Sequence, residues 1–171
     1  MRSVLNLALA SVIALSTLSF DALGQQQAGS SLQKQLVGQW SLVSAELIDA
    51  KGNKGQLVEG ADPQGILVFL DNGRFTLQII AAIPKLSGDR TATTPEESRT
   101  VARGVLSYWG TYSVNEADKT FTFNIERSSY PNQNGMQARR VIQSLSADEL
   151  KFGVPARLAG GQNNLVWKRV K

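Results

Sequence analysis

Short segments in which apolar and polar residues alternate are the feature of this sequence that most restricts its fold. The alternation is clearest in residues 120–126, where Phe121, Phe123 and Ile125 alternate with threonine and asparagine. A period of two places successive side chains on opposite faces of a β-strand. Residues 74–80 show the same pattern. Both segments therefore predict strands with one face packed on an apolar core.

Turn residues separate these segments along the chain. Asn72-Gly73 is a strong hairpin signal, because both residues tolerate a positive φ. The predicted strands are residues 39–47, 56–59, 65–70, 74–80, 106–114, 120–126, 139–145, 150–154 and 164–170. Eight or nine short strands joined by turns favour an all-β, antiparallel sandwich or barrel.

Two short helices interrupt the predicted strands. Ser31 is a candidate N-cap for a helical turn at residues 32–36. Residues 81–104 are polar, and within them Thr94 precedes a proline and two acidic residues, which is typical of a helix start. We expect a helix from residue 95 to about residue 103 that covers a barrel mouth or side. Long connections of this kind are often lids or binding loops.

The sequence contains no cysteine and no histidine. This composition excludes disulfides, zinc sites of the usual Cys/His type, thiol nucleophiles and Ser-His-Asp triads. The acidic residues lack calcium-loop spacing, and no glycine-rich phosphate-binding loop is present. We therefore expect no metal and no cofactor. Any catalysis would depend on carboxylate, Tyr, Lys or Arg side chains.

Residues 1–24 have the three parts of a secretory signal: a basic start, an apolar run over residues 4–20, and small residues at the end. The apolar run is short for a membrane span, which needs about 20 residues, so we expect no stable membrane anchor. The mature protein is expected in the periplasm or the medium. Residues 25–31 are interpreted as a disordered lead-in, followed by one folded domain over residues 32–171.

The net charge of +4 raises the question of nucleic-acid binding. The basic residues are scattered, and the densest groups are Arg139-Arg140 and residues 168–171. Neither group has the interleaved aromatic residues that stack on bases. We expect no nucleic-acid partner.

Several stretches of the chain, taken together, resemble the lipocalin-like domain family of bacteria and fungi. These stretches are residues 36–44 with Gly38-Gln39-Trp40, residues 65–69, residues 108–114, residues 126–132 and residues 165–169. The resemblance implies an up-and-down antiparallel barrel of about eight strands around a cavity. Family members often carry histidines just before the glutamate, where this chain has Phe123-Asn124.

The resemblance also implies a structural role for residues at both ends of the domain. In lipocalins a basic residue of the last strand stacks on the tryptophan of the Gly-x-Trp motif and closes the barrel. Here those residues are Gly38, Trp40 and Arg169, and Trp167 lies on the same strand face as Arg169.

The candidate ligand is a small, largely apolar molecule in the barrel. Tyr108 and Tyr112 share one face of a strand, and with Glu126 and Arg140 they would orient a polar head group beside apolar walls. The full candidate set is Phe75, Leu77, Tyr108, Tyr112, Phe121, Phe123, Glu126, Tyr130 and Arg140.

Three alternatives remain open from the sequence. Glu126 beside Tyr108 or Tyr112 would suit a general base in an isomerase or cyclase. A buried salt bridge between Glu126 and Arg140 would be purely structural. In the third alternative the domain is an interaction module that uses residues 81–104 as its contact surface. The sequence does not indicate an oligomeric state.

Overall fold

The structure is a computed structural model that describes residues 31–154 and 161–171. The expected signal peptide and most of the expected lead-in lie outside these residues. Within the described part, two α-helices and nine strands form. They are α1 (Leu32–Leu36), β1 (Gly38–Ile48), β2 (Lys54–Gln56), β3 (Ala61–Phe69), β4 (Arg74–Ala82), α2 (Pro95–Gly104), β5 (Val105–Asn115), β6 (Thr120–Ser128), β7 (Gln137–Leu145), β8 (Glu149–Val154) and β9 (Gln162–Arg169), with a 3₁₀ turn at Pro131–Gln133.

Eight of the strands close into an antiparallel barrel. From β3 to β9 each strand pairs with the next along the chain, and β1 pairs with both β3 and β9. The extra strand, β2, pairs with the end of β1 outside the ring. This arrangement confirms the predicted up-and-down barrel of about eight strands.

The period-two segments become strands because one of their faces packs on the barrel interior. In β4, Phe75, Leu77 and Ile79 are each at most 3% exposed. The turn before β4 has Gly73 at φ +79°, the left-handed conformation that its position requires. The short strand expected at residues 56–59 is misplaced, because β2 ends at Gln56.

Both helices begin with the caps that the sequence predicts. The Ser31 side chain accepts from the Lys34 amide, and Thr94 and Glu97 form a capping box at the start of α2. The backbone amides of Thr94 and Ser87 donate to the Glu97 carboxylate and lower its pKa to about 2. No helix in the described ranges is long and apolar enough to cross a membrane.

The two helices lie at opposite ends of the barrel. Helix α1 directly precedes Gly38, whose strand partner is Phe69 at the end of β3. Helix α2 contacts the loop before β3, where Glu59 pairs with Arg103 at 3.3 Å. We call these the α1 end and the α2 end of the barrel.

Aromatic side chains fill the centre of the barrel and its α1 end. Phe69 contacts the rings of Tyr112, Phe121 and Phe123, with ring centroids 4.9–5.9 Å apart. Interlocked rings of this kind exclude water and contribute much of the apolar burial. The aromatic side chains at 0% exposure are Trp40, Phe69, Phe121, Phe123, Phe152 and Trp167.

Candidate functional site

The α1 end is closed by a set of contacts around Arg169. Its guanidinium carbon lies 4.0 Å from the centroid of the Trp40 ring. Its Nη1 and Nη2 donate to the backbone carbonyls of Val37 and Gln35 at 2.8 and 2.6 Å. Gly38 adopts φ +130°, and a Cβ atom there would approach Arg169 Nη1 to 2.6 Å. The Gly-x-Trp motif therefore has glycine where the guanidinium passes against the backbone.

Most of the predicted apolar contacts pack on one another in the barrel. The rings of Phe75 and Phe123 stack with centroids 4.0 Å apart, and Leu77 is 1% exposed. Tyr112 is 6% exposed and donates its hydroxyl hydrogen to the Leu70 carbonyl at 2.9 Å. Burial raises the pKa of Tyr112 above its usual value. In this structure these side chains form a core, and the Tyr112 hydroxyl already has an acceptor.

The structure corrects the expected position of Glu126. A bulge places Trp109 opposite Arg127 and Gly110 opposite Ile125, so Glu126 is an extra residue on the outer face of β6. Its carboxylate pairs with Arg74 at 3.0 Å, and its side chain is 42% exposed. The expected salt bridge with Arg140 is therefore absent, and the Glu126 carboxylate does not stand beside the two tyrosines. The alternation that points Ile125 inward already places residue 126 outward.

Tyr130 is also outside the barrel. It lies in the connection after β6 and is 58% exposed. Its hydroxyl accepts from the side-chain Nδ2 of Asn132 at 3.3 Å. The structure does not bring this side chain to the interior residues with which the sequence grouped it.

Arg140 does point into the barrel. It pairs with Phe121 across the strands, and its guanidinium carbon lies 5.5 Å from the centroid of the Phe123 ring. Nη2 donates to the Tyr108 hydroxyl at 3.4 Å, and Nη1 donates to the Arg139 carbonyl at 3.0 Å. None of the salt bridges among the described residues includes Arg140. The interior thus contains a guanidinium without a carboxylate partner.

One polar residue near Arg140 was missed in the sequence. Val154 pairs with Asn163, and Val141 pairs with Gly153, so Arg140 and Asn163 lie at the same level two strands apart. The carbonyl oxygen of the Asn163 side chain is buried and has no hydrogen-bond partner among the described residues. The signal in the sequence was the position of Asn163, which shares a strand face with the apolar residues Leu165 and Trp167.

A second unpaired group lies on the same strand. Trp167 is 0% exposed, and its indole N–H has no partner within the described ranges. Its ring stacks on Phe152 with centroids 6.4 Å apart. A buried donor without an acceptor costs free energy, which a bound group or water would recover.

The outer surface carries two shallow depressions. One, of about 480 Å³, is lined by Trp109, Glu126 and Arg127, and the other, of about 260 Å³, by Gln64, Ile66 and Ile80 among others. Both are formed mainly by outward-facing strand residues. Neither includes the interior groups around Arg140.

Acidic side chains do not cluster in the described ranges. No group of three or more Asp and Glu residues there is placed to hold a metal ion. The chemistry that the interior offers is hydrogen bonding and positive charge from Tyr108, Arg140 and Asn163, set among apolar side chains.

Comparison with solved structures finds similar barrels at low sequence identity. A lipocalin-like protein from Bacteroides uniformis is 12% identical, with a TM-score of 0.45 over 80% of this chain and 99% of that one. A redesigned β-barrel is 15% identical, with a TM-score of 0.44 over 83% and 100% of the two chains. Lobster apocrustacyanin A1 is 15% identical, with a TM-score of 0.39 over 85% and 64%.

Family assignment depends on the sequence comparison. No curated protein matches the chain significantly. A sequence model of the lipocalin-like domain, in contrast, matches residues 37–170, which is the barrel from just before β1 to the residue after β9. This chain therefore belongs to the lipocalin-like domain family.

Proposed function

We propose that this protein is exported and binds a small, largely apolar molecule inside its barrel. The observation that carries the proposal is that some apolar side chains facing the barrel interior are incompletely buried. Trp40 and Trp167 are fully buried in the barrel interior, at 0% exposure. Towards the α2 end, Ala45, Leu106 and Ala138 face inward and stay partly exposed. Partly exposed apolar walls are what a ligand would cover.

The small side chains at that end support the same site. Ala45 and Ala138 occupy inward positions near the α2 end, and both have short side chains. An eight-stranded barrel is wide enough to hold either packed side chains or one small ligand. Alanine at these two positions favours the binding of a small ligand over packed side chains.

The export part of the proposal depends on the composition of residues 1–24 alone. Their basic start and apolar run are the features that a secretory signal needs. N-terminal sequencing of protein recovered from the exported fraction tests it. A mature chain that starts near residue 25 would support export, and an intact Met1 in the cytoplasm would contradict it.

Two measurements test binding. Native mass spectrometry of the protein from its host's exported fraction should show a stoichiometric small molecule that denaturation releases. Titration with N-phenyl-1-naphthylamine, a neutral apolar fluorophore, should show saturable binding at one site per chain.

A substitution that fills the site separates interior from surface binding. Ala138→Phe should weaken binding of the fluorophore at least about tenfold, because the added ring takes the space of the ligand. Ala82→Phe, at an exposed position of β4, is the matched control and should leave binding unchanged. Equal binding by both variants would contradict an interior site.

Catalysis by Glu126 is not part of the proposal. Its carboxylate faces outward and is held by Arg74, so it does not reach a molecule between Tyr108 and Arg140. The interaction module that uses residues 81–104 stays a prediction. Deleting that segment should remove partner binding while the barrel remains folded.

A further inference from the structure

We propose that the ligand carries an anionic group, and that Arg140 and the Tyr108 hydroxyl hold this group inside the barrel. The inference rests on the proposed function, because it assigns the chemical class of the molecule bound there. The expected ligand is an organic anion with one charged group and a largely apolar body, such as a carboxylate or a sulfonate.

The hydrogen-bonding capacity of Arg140 is only partly used. A guanidinium has five N–H groups and accepts no hydrogen bond. Two of them are engaged, one with the Tyr108 hydroxyl and one with the Arg139 carbonyl. The remaining N–H groups have no acceptor among the residues that the structure describes. They are available to bind the two oxygens of a carboxylate side by side.

Tyr108 adds a donor at the same place. Its hydroxyl oxygen accepts from Arg140 Nη2, and no described residue accepts the hydroxyl hydrogen. The side chain is 4% exposed, and its ring packs edge to face on Phe75 and Phe123. The packing fixes the hydroxyl next to the guanidinium. Both groups therefore present donors, and the matching ligand group is an acceptor with negative charge.

The charge of Arg140 is not balanced within the barrel. The nearest candidate from the sequence, Glu126, is on the outer face with Arg74. Arg140 is partly buried, and a partly buried charge without a counter-charge is unfavourable, so a bound anion would offset that cost. Asn163 lies at the same level, and rotation of its amide would turn its N–H₂ group toward the anion.

The surroundings of Arg140 favour an anion with an apolar body over a small inorganic ion. Its guanidinium lies against the Phe123 ring, and its neighbours on the inner face of β7 are Ala138 and Ile142. A small hydrated ion would leave these walls uncovered. An amphiphilic anion would cover them and neutralise the charge together.

A matched pair of fluorophores tests the charge preference on the full chain. 8-Anilino-1-naphthalenesulfonate and N-phenyl-1-naphthylamine have the same aromatic body, and only the first carries a sulfonate. The wild-type protein should bind the sulfonate more tightly. Arg140→Met should weaken sulfonate binding about tenfold to a hundredfold, the loss typical of a charge-assisted hydrogen bond, and change binding of the neutral probe less than about twofold.

Arg127→Met is the matched control for net charge. Arg127 is exposed on the outer face of β6 and contacts the backbone carbonyl of Glu126. This variant should keep the sulfonate preference of the wild type. An equal loss in Arg127→Met and Arg140→Met would overturn the inference, because the effect would then be one of overall charge.

Tyr108→Phe provides a second variant that removes only the hydroxyl. It should weaken sulfonate binding several-fold and keep neutral binding. If Arg140→Met does not fold, this variant and the wild-type preference decide the question. Binding of both probes with equal affinity would overturn the anion assignment alone. Failure of both probes to bind, or binding unaffected by Ala138→Phe, would instead overturn the proposed function.

Discussion

Arg169 and Arg140 both lie beside an aromatic ring in the barrel, but their hydrogen bonds differ. Arg169 stacks on Trp40 and donates to the backbone carbonyls of Val37, Gln35 and Ala147. Arg140 lies over the Phe123 ring and donates to one hydroxyl and to the carbonyl of its own neighbour. The two residues are therefore of the same type and make a similar aromatic contact. They differ in the number of backbone carbonyls that accept from the guanidinium.

Backbone acceptors distinguish the roles of these two partly buried arginines. Helix α1 and the residue after it supply two of the three carbonyls that bind Arg169, so this guanidinium is a structural clamp. Arg140 makes two hydrogen bonds among the described residues and has spare donors. A guanidinium of that kind has capacity left for a ligand.

The largest loss of stability is expected for a substitution at the α1 end of the barrel. Trp40→Ala should lower the free energy of unfolding by about 3–5 kcal/mol, because it empties a fully buried site and removes the bond from its indole N–H to the Leu36 carbonyl. Trp109→Ala is the control, since Trp109 is 44% exposed on the outer face. Urea unfolding monitored by circular dichroism measures both. Similar losses in the two variants would show that the α1 end is not specially stabilised.

The next prediction compares the contributions of the two arginines to stability. Arg169→Met should cost about 2–4 kcal/mol, because the backbone carbonyls lose a charged donor. Arg140→Met should change stability by less than about 1 kcal/mol, since replacing a poorly paired interior charge by an apolar side chain is often neutral or stabilising. The same urea titration compares them. An equal loss of stability in Arg169→Met and Arg140→Met would contradict the assignment of a structural role to one arginine and a binding role to the other.

A third variant tests the bulge between β5 and β6 beside Glu126. A Cβ atom at Gly110 would overlap the Asn124 carbonyl oxygen at the bulge that precedes Glu126. Gly110→Ala should therefore destabilise by about 1–3 kcal/mol, the usual cost of overpacking. Gly135→Ala is a useful reference, because a Cβ there has open space and only the backbone conformation is strained. A neutral Gly110→Ala would mean that the bulge is not needed at this place.

The smallest effect concerns acid and the α2 end. The pKa of Glu97 is lowered from 4.5 to about 2 by backbone amides that donate to its carboxylate. A lowered folded-state pKa means that its contribution is complete above about pH 4.5 and is lost as the pH falls toward about 2. Amide hydrogen exchange in α2 should accelerate over that range before exchange in the strands does.

Glu97→Gln is the control for this pH effect. The amide keeps the shape of the side chain but does not titrate. Exchange in α2 of this variant should show little dependence on pH below 4.5, apart from the intrinsic chemistry of exchange. A pH response equal to that of the wild type would assign the acid sensitivity to another carboxylate.

Local patterns predicted the strands well, because their causes are local. Alternating apolar residues, Asn72-Gly73 and the Thr94 cap act within a few residues of one another, and the observed elements follow them. The exception is β2, which lies at Lys54–Gln56 and not at the predicted residues 56–59. It pairs with the end of β1, so its position is set by a neighbouring strand.

The candidate site was predicted in part. Arg140 and Tyr108 do meet, while Tyr130 and Glu126 lie outside. The orientation of Glu126 follows from the alternation in its own strand, but its partner does not. Arg74 is 52 residues away along the chain, and only the neighbouring strands bring the two side chains together.

The repeating strand pattern, the helix caps and membership of a barrel-forming family follow from the sequence, because these features depend on residue type and short spacing. The tertiary structure alone decided which arginine is saturated. Arg169 binds a carbonyl 134 residues away, which only closure of β9 onto β1 and α1 makes possible. Among the described residues Arg140 donates to a single backbone carbonyl, that of its neighbour Arg139.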